Sequence, residues 1–131
     1  MKATALTLVG LALAFGLITQ LAYGQEKKQE AQTVEGELLD MRCYSAGGAS
    51  GEGHAGCARK CLASGIPAGV LVDETAWVLV TNPVPFAPHA AQTVRVTGKV
   101  NEETKTIIPN KIEVKDGDGW KEVKMQDAHN K

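Results

Sequence analysis

Four side chains with the right chemistry for a reactive or metal-binding site lie close together in this chain: Cys43, His54, Cys57 and Cys61. Residues 43–61 hold every cysteine of the protein and one of its 3 histidines. Thiolate and imidazole are the ligands that zinc, copper(I) and iron–sulfur centres prefer. If residues 54–64 are helical, Cys57 and Cys61 stand at i and i+4 on one face, a spacing at which two side chains can share an ion. His54 and Cys61 are seven residues apart, roughly 10 Å along a helix axis. Metal bonds of about 2.0–2.3 Å barely allow both on one ion, unless His54 is a cap residue that bends inward. Cys43, expected at the end of the first strand, can swing onto the same face and complete a Cys3His set. Zinc is the default for such a tetrahedral set, and copper(I) is its rival because it prefers soft sulfur. A helix N-terminus is also expected to lower the pKa of thiols near it.

A second reading stands beside this one. In a small exported domain Cys43 can form a disulfide with Cys57 or with Cys61, tying helix to strand. A Cys57–Cys61 bridge along one helix has poor geometry. Three cysteines cannot all pair within one chain, so this reading leaves a spare thiol. That thiol opens a third reading, a thiol enzyme.

The same stretch resembles a family of small exported bacterial proteins that carry Cys-Tyr, a glycine-rich loop, His-x2-Cys-Ala-x2-Cys and Gly-x-Pro-x-Gly. Here the pieces are Cys43 and Tyr44, then His54, Cys57, Ala58 and Cys61, then Gly65, Pro67 and Gly69. The resemblance implies export and a shared scaffold, and brings no reaction with it.

Other candidates are weaker. His89 sits in a proline-rich loop and His129 in a polar tail, where histidines are ordinarily solvated. Asp116 and Asp118 lack the remaining ligands of a calcium loop, so a plain turn is expected there. Trp77 and Trp120 are expected to be packing residues. Residues 45–53 lack the Lys-Ser/Thr ending of a phosphate-binding loop, and no serine, histidine and acid form a recognisable catalytic set.

The scaffold reads as mainly β. Residues 33–40 form a first strand, in which Val34, Gly36 and Leu38 alternate with Glu35 and Glu37. Gly47, Gly48, Gly51 and Gly53 mark a mobile or tightly wrapped loop. Gly65 is the expected C-terminal cap of the helix, and Pro67 blocks its continuation. Apolar runs at 69–72 and 76–81, joined by a turn at 73–75, suit strands covered on both faces. Pro83, Pro85 and Pro88 make a rigid loop, with a helical turn expected at 88–91. Residues 93–100 alternate, with a bulge expected at Gly98. Residues 106–115 form the fifth strand, with Ile108, Ile112 and Val114 inward and Pro109 at an edge or bulge. Residues 120–124 offer a short final strand. The expected architecture is a small five-stranded OB-like Greek-key barrel, with one short helix inserted between strands 1 and 2. The pattern of 93–100 followed by 107–114 resembles the closing strands of small exported bacterial OB-fold proteins.

The ends of the chain speak to its address. Lys2 followed by the largely apolar stretch 3–21 and the small residues Ala22 and Gly24 reads as a signal peptide cleaved before Gln25. An uncleaved anchor is the alternative. Cleavage would leave no stable membrane anchor, and the protein would be periplasmic or secreted. Residues 25–32 read as a flexible leader, 33–124 as the barrel domain and 125–131 as a disordered tail. Without residues 1–24 the chain keeps 13 basic and 15 acidic side chains, a net −2. That balance excludes a nucleic-acid partner bound through a basic excess. The sequence thus points to a non-catalytic exported protein whose partner is a metal ion, or else a protein or oligosaccharide on the barrel face.

Overall fold

The computed structural model describes residues 30–125. The expected signal peptide at 1–24, most of the leader and His129 lie outside the described residues. Among the described residues there are six strands: β1 (Gln32–Asp40), β2 (Ala68–Val72), β3 (Thr75–Leu79), β4 (Thr93–Asn101), β5 (Thr106–Asp116) and β6 (Gly119–Glu122). β1 pairs antiparallel with β2 on one side and β4 on the other. β2 pairs with β3, and β4 with β5, again antiparallel. A parallel pairing of Val78 with Thr106 and Leu79 with Ile107 joins β3 to β5 and closes the circuit. This is the expected OB-like five-stranded barrel. β6 adds a hairpin to the outside of β5.

The barrel interior is filled by Leu38, Val70, Leu79, Val94, Val96, Ile107 and Ile112, all buried. Of the two runs expected to be covered on both faces, that at 76–81 instead alternates. Trp77 and Leu79 are buried, Val78 is half-buried and Val80 is 53% exposed, because a barrel wall has one inner and one outer face. Ile108, expected inward, is also 53% exposed, and Ile107 takes the inner position. The register slips between Thr97 and Gly98, where Gly98 faces Pro109. One extra residue at that bulge switches the face, so that Ile107 points inward before it and Ile112 and Val114 point inward after it. A Cβ at Gly98 would collide with the backbone of Ile108 and Pro109. The bulge expected at Gly98 and Pro109 is therefore real, and it requires glycine.

The loop after β3 holds a 3-10 helix at Val84–His89, earlier than the turn expected at 88–91. Asn82 Oδ1 accepts from the Val84 N–H at 3.1 Å and starts it. Its Phe86 and Ala87 are buried in the core. On the outer wall Arg95 donates to Glu113 Oε2 from Nε at 3.0 Å and Nη2 at 2.8 Å, and Lys111 reaches Oε1 at 2.8 Å. Trp77 is core, as expected. Trp120 lies on the outer wall, with Arg95 at 4.5 Å and Lys115 at 4.8 Å from its ring centre. Asp116 and Asp118 flank the tight β5–β6 turn, with Gly117 in the left-handed region. Met125, placed in the tail by sequence, packs against the core.

Two glycine substitutions should act with opposite signs. Gly98→Ala forces a methyl into backbone and should lower stability by about 1–3 kcal/mol. Gly47→Ala meets open space at the end of a helix and should be neutral or raise stability by up to about 1 kcal/mol. Urea unfolding of the two variants checks the pair.

Candidate metal centre

The β1–β2 connection carries the site, and in OB barrels this connection is one of the usual ligand-binding loops. It is more helical than the sequence indicates. Two helices fill it, α1 (Met41–Gly47) and α2 (Ala55–Ala63), joined by the glycine-rich loop and a 3-10 turn at Glu52–His54. α2 is the expected inserted helix. α1 is additional, so Cys43 lies in the first turn of a helix and not at a strand end.

α1 is short because its ends are set by two local signals. Asp40 is its N-cap, and Oδ1 accepts from the Cys43 N–H at 2.9 Å. Gly48 ends it in the left-handed region, donating to the Tyr44 carbonyl at 2.7 Å. The glycine-rich loop is wrapped and not free, because the Gly51 N–H donates to Glu37 on β1. α2 ends as expected at Gly65. The Gly65 N–H donates to Leu62 and the Ile66 N–H to Cys61, both at 3.0 Å, the pattern of a Schellman cap.

The rotation of α2 is fixed by its core face. Ala58 and Leu62, at i and i+4, are buried against the core. Cys57 and Cys61 precede them by one residue, so the cysteine pair lies about 100° round the helix from the buried pair. Cys57 is exposed, while Cys43 and Cys61 are half-buried.

The four predicted residues come together, though not around one point. Cys43, His54 and Cys57 form one group in which all ligand atoms lie within 4.8 Å of one another. Asp40, Cys43 and Cys61 form a second. His54 and Cys61 share neither group, in keeping with their separation along the helix, and Cys43 belongs to both. His54 is the residue before α2, and its Nε2 lies 2.9 Å from Asp40 Oδ2. His89, by contrast, is bonded to Gln92 at 3.0 Å and belongs to neither group.

Asp40 is the residue that sequence reasoning missed. It is 1% exposed, and both of its oxygens are used, one for Cys43 and one for His54. Burial pushes its carboxyl up, but the Cys43 N–H and His54 outweigh that and hold it below the usual value of 3.8. An Asp three residues before a cysteine, at the end of an alternating strand, was the available signal for an N-cap.

The thiols depart from the expected low pKa. Cys43 is pushed up to about 12 by burial first, then by the Asp40 carboxylate and by Cys57. Burial and Asp40 raise Cys61 as well. Burial, with the Asp40 anion behind it, outweighs the helix N-terminus, and neither thiol has the low pKa of a catalytic nucleophile. All three cysteines are free, with Cys43 Sγ and Cys57 Sγ 4.0 Å apart. Two thiolates each about 2.3 Å from a tetrahedral ion stand about 3.8 Å apart. A disulfide needs about 2.05 Å. The sulfurs are thus in non-bonded contact, at a separation that two corners of a metal tetrahedron can also have.

Fold and site together define a small OB-like barrel with a Cys/His cluster, able to hold a metal, in its first connection. No family model, curated protein or solved structure matches the chain.

Asp40→Ala should cost about 1–2 kcal/mol through the lost cap alone. The pH dependence has a definite sign. A carboxyl with a depressed folded pKa contributes stability above its unfolded value near 3.8, and that stability is lost as pH falls through the lower folded value. Asp40→Asn should therefore flatten the acid limb of the stability profile below about pH 4. Urea unfolding at pH 3 to 7 (about one-unit steps) measures both effects.

Proposed function

We propose that this protein is an exported, non-catalytic metal-binding protein whose centre is built from Cys43, His54 and Cys57, with Cys61 as the fourth ligand. The observation that carries this reading is the convergence of two sulfurs and an imidazole within 4.8 Å, with the sulfurs at near-tetrahedral spacing. Zinc or copper(I) is the ion of choice for that donor set. Bringing Cys61 onto the same ion as His54 requires a movement within the cluster. The alternative is three protein ligands and a fourth position open to solvent or to a partner. An open position suits carriage of an ion, and a closed Cys3His set suits a structural role. Asp40 supports either arrangement by orienting His54 and fixing the start of α1, as outer carboxylates do for metal-bound histidines.

Periplasmic or secreted placement belongs to the same proposal. It rests on the signal-like residues 1–24 and fits soft-metal handling outside the cytoplasm. A disulfide-stapled module with one spare thiol, binding a protein or oligosaccharide on the barrel face, is the competing reading.

The full chain, reduced and titrated with zinc or copper(I), should bind about one ion, with three thiols titratable on the denatured protein. Binding should release protons, because Cys43 is a thiol in the metal-free protein, and affinity should fall as pH falls. Cys43→Ser, removing the residue common to both groups, should weaken binding most. A freshly purified chain with one free thiol and no ion uptake after reduction would overturn the metal reading in favour of the stapled module.

A further inference from the structure

Three features of the molecule carry chemistry outside the ion-binding role. A shallow recess lined by His89, Gln92, Val114, Lys115, Asp116 and Lys121 is one, and the exposed apolar residues Val80, Val84 and Ile108 are another. Neither shows what would occupy it. The third is the sulfur geometry itself, and it reaches further.

We infer that Cys43 and Cys57 form a reversible disulfide by exchange with an external disulfide, a redox step that dismantles the metal centre and leaves Cys61 as a free thiol. The inference rests on the proposed metal reading for its consequence, but the sulfur chemistry stands on the geometry alone. Cys43 Sγ and Cys57 Sγ are in contact at 4.0 Å. Closing that gap to a bond needs a movement of about 2 Å, within reach of side-chain rotation and a small shift of a seven-residue helix. Cys57 and Cys61 lie on one helix at i and i+4, where a bridge is strained. Cys43 and Cys61 are the competing pair, since their ligand atoms also lie within 4.8 Å.

Access favours Cys57 as the sulfur that meets the external disulfide. It is exposed, whereas Cys43 and Cys61 are half-buried. Gly53 and Gly56, just before it in the chain, have open space where side chains would stand. The Cys57 thiolate attacks one sulfur of the external disulfide, its S–S bond breaks, and one thiolate leaves. Cys43, a thiol at rest, gives its proton to the thiolate released in the first step, then attacks Cys57 Sγ of the mixed disulfide and expels the second. The protein loses two electrons and two protons, and the external disulfide gains both as two thiols. With Cys43 and Cys57 joined, the group Cys43, His54 and Cys57 has lost both its thiolates, and the group Asp40, Cys43 and Cys61 has lost one.

The chain itself offers a direct readout. Trypsin cuts after Arg42, Arg59 and Lys60, so residues 43–59 carry both switch cysteines on one peptide, and residues 61–95 carry Cys61 on another. The reduced full chain, with and without bound zinc, is incubated with oxidised glutathione, acid-quenched, alkylated and mapped by mass spectrometry. The expected result is peptide 43–59 lighter by two hydrogens than its reduced form and unalkylated, with Cys61 alkylated. A zinc-sensitive dye should report ion release in step with that bridge. Cys61→Ser should form the same bridge, and excess reduced glutathione should restore both thiols and ion binding. A bridge joining 43–59 to 61–95, or a glutathione adduct on Cys57 that never resolves, would overturn the inference. A correct bridge on a chain that binds no zinc would remove the metal reading and leave the exchange chemistry standing. Bound zinc retained without any bridge would do the opposite.

Discussion

A single buried carboxylate organises the site. Asp40 closes β1, caps α1 through Cys43 and receives His54 from the start of α2. A carboxylate with almost no exposure is tolerable only when its charge is met by hydrogen bonds, and here both oxygens are met. Strand, first helix and second helix therefore share one electrostatic anchor. Without it, the backbone N–H of Cys43 and the ring of His54 lose their common partner. Cys43, His54 and Cys57, whose ligand atoms lie within 4.8 Å of one another, would then be held only by the packing of the elements that carry them.

That packing comes from the barrel. The circuit β1-β2-β3-β5-β4 gives a rigid wall, and Ala58 and Leu62 dock α2 into the core beside the 3-10 helix that carries Phe86. Fixing the apolar face of α2 fixes the direction of Cys57 and Cys61. β1 ends where α1 begins, so Cys43 is delivered to the same place from the opposite side. The cluster is thus assembled from residues whose positions are set by apolar burial, while Asp40 sets their orientation. The distinction matters for chemistry. Burial beside an anion keeps Cys43 protonated, so a cation is the natural replacement for that proton.

The barrel was readable in the sequence because strand alternation and turn residues are local signals. The helix of the insert was readable from its cap glycine and from the good helix formers Ala55, Ala58, Leu62 and Ala63. Ile108 was misplaced because periodicity assumes an unbroken register, and the bulge opposite Gly98 changes the inner face partway along β5. α1 was missed because seven residues ending in Gly47 carry too little helical periodicity to register. Its only strong marks are the Asp before it and the glycine after it. The four ligand candidates were legible from residue type and spacing. Their division into two overlapping groups was not, because it depends on where α1 turns Cys43. Asp40 was hidden for a related reason: a charged residue at a strand end reads as solvated, and only the tertiary contact with His54 shows it buried.

The chemistry of the centre reduces to what surrounds the ion. X-ray absorption on the zinc-loaded full chain measures that shell directly. The account predicts two or three sulfur scatterers at about 2.3 Å with a nitrogen shell near 2.0 Å, and loss of a sulfur in Cys57→Ser. A shell made only of oxygen and nitrogen, unchanged in Cys57→Ser, would contradict it.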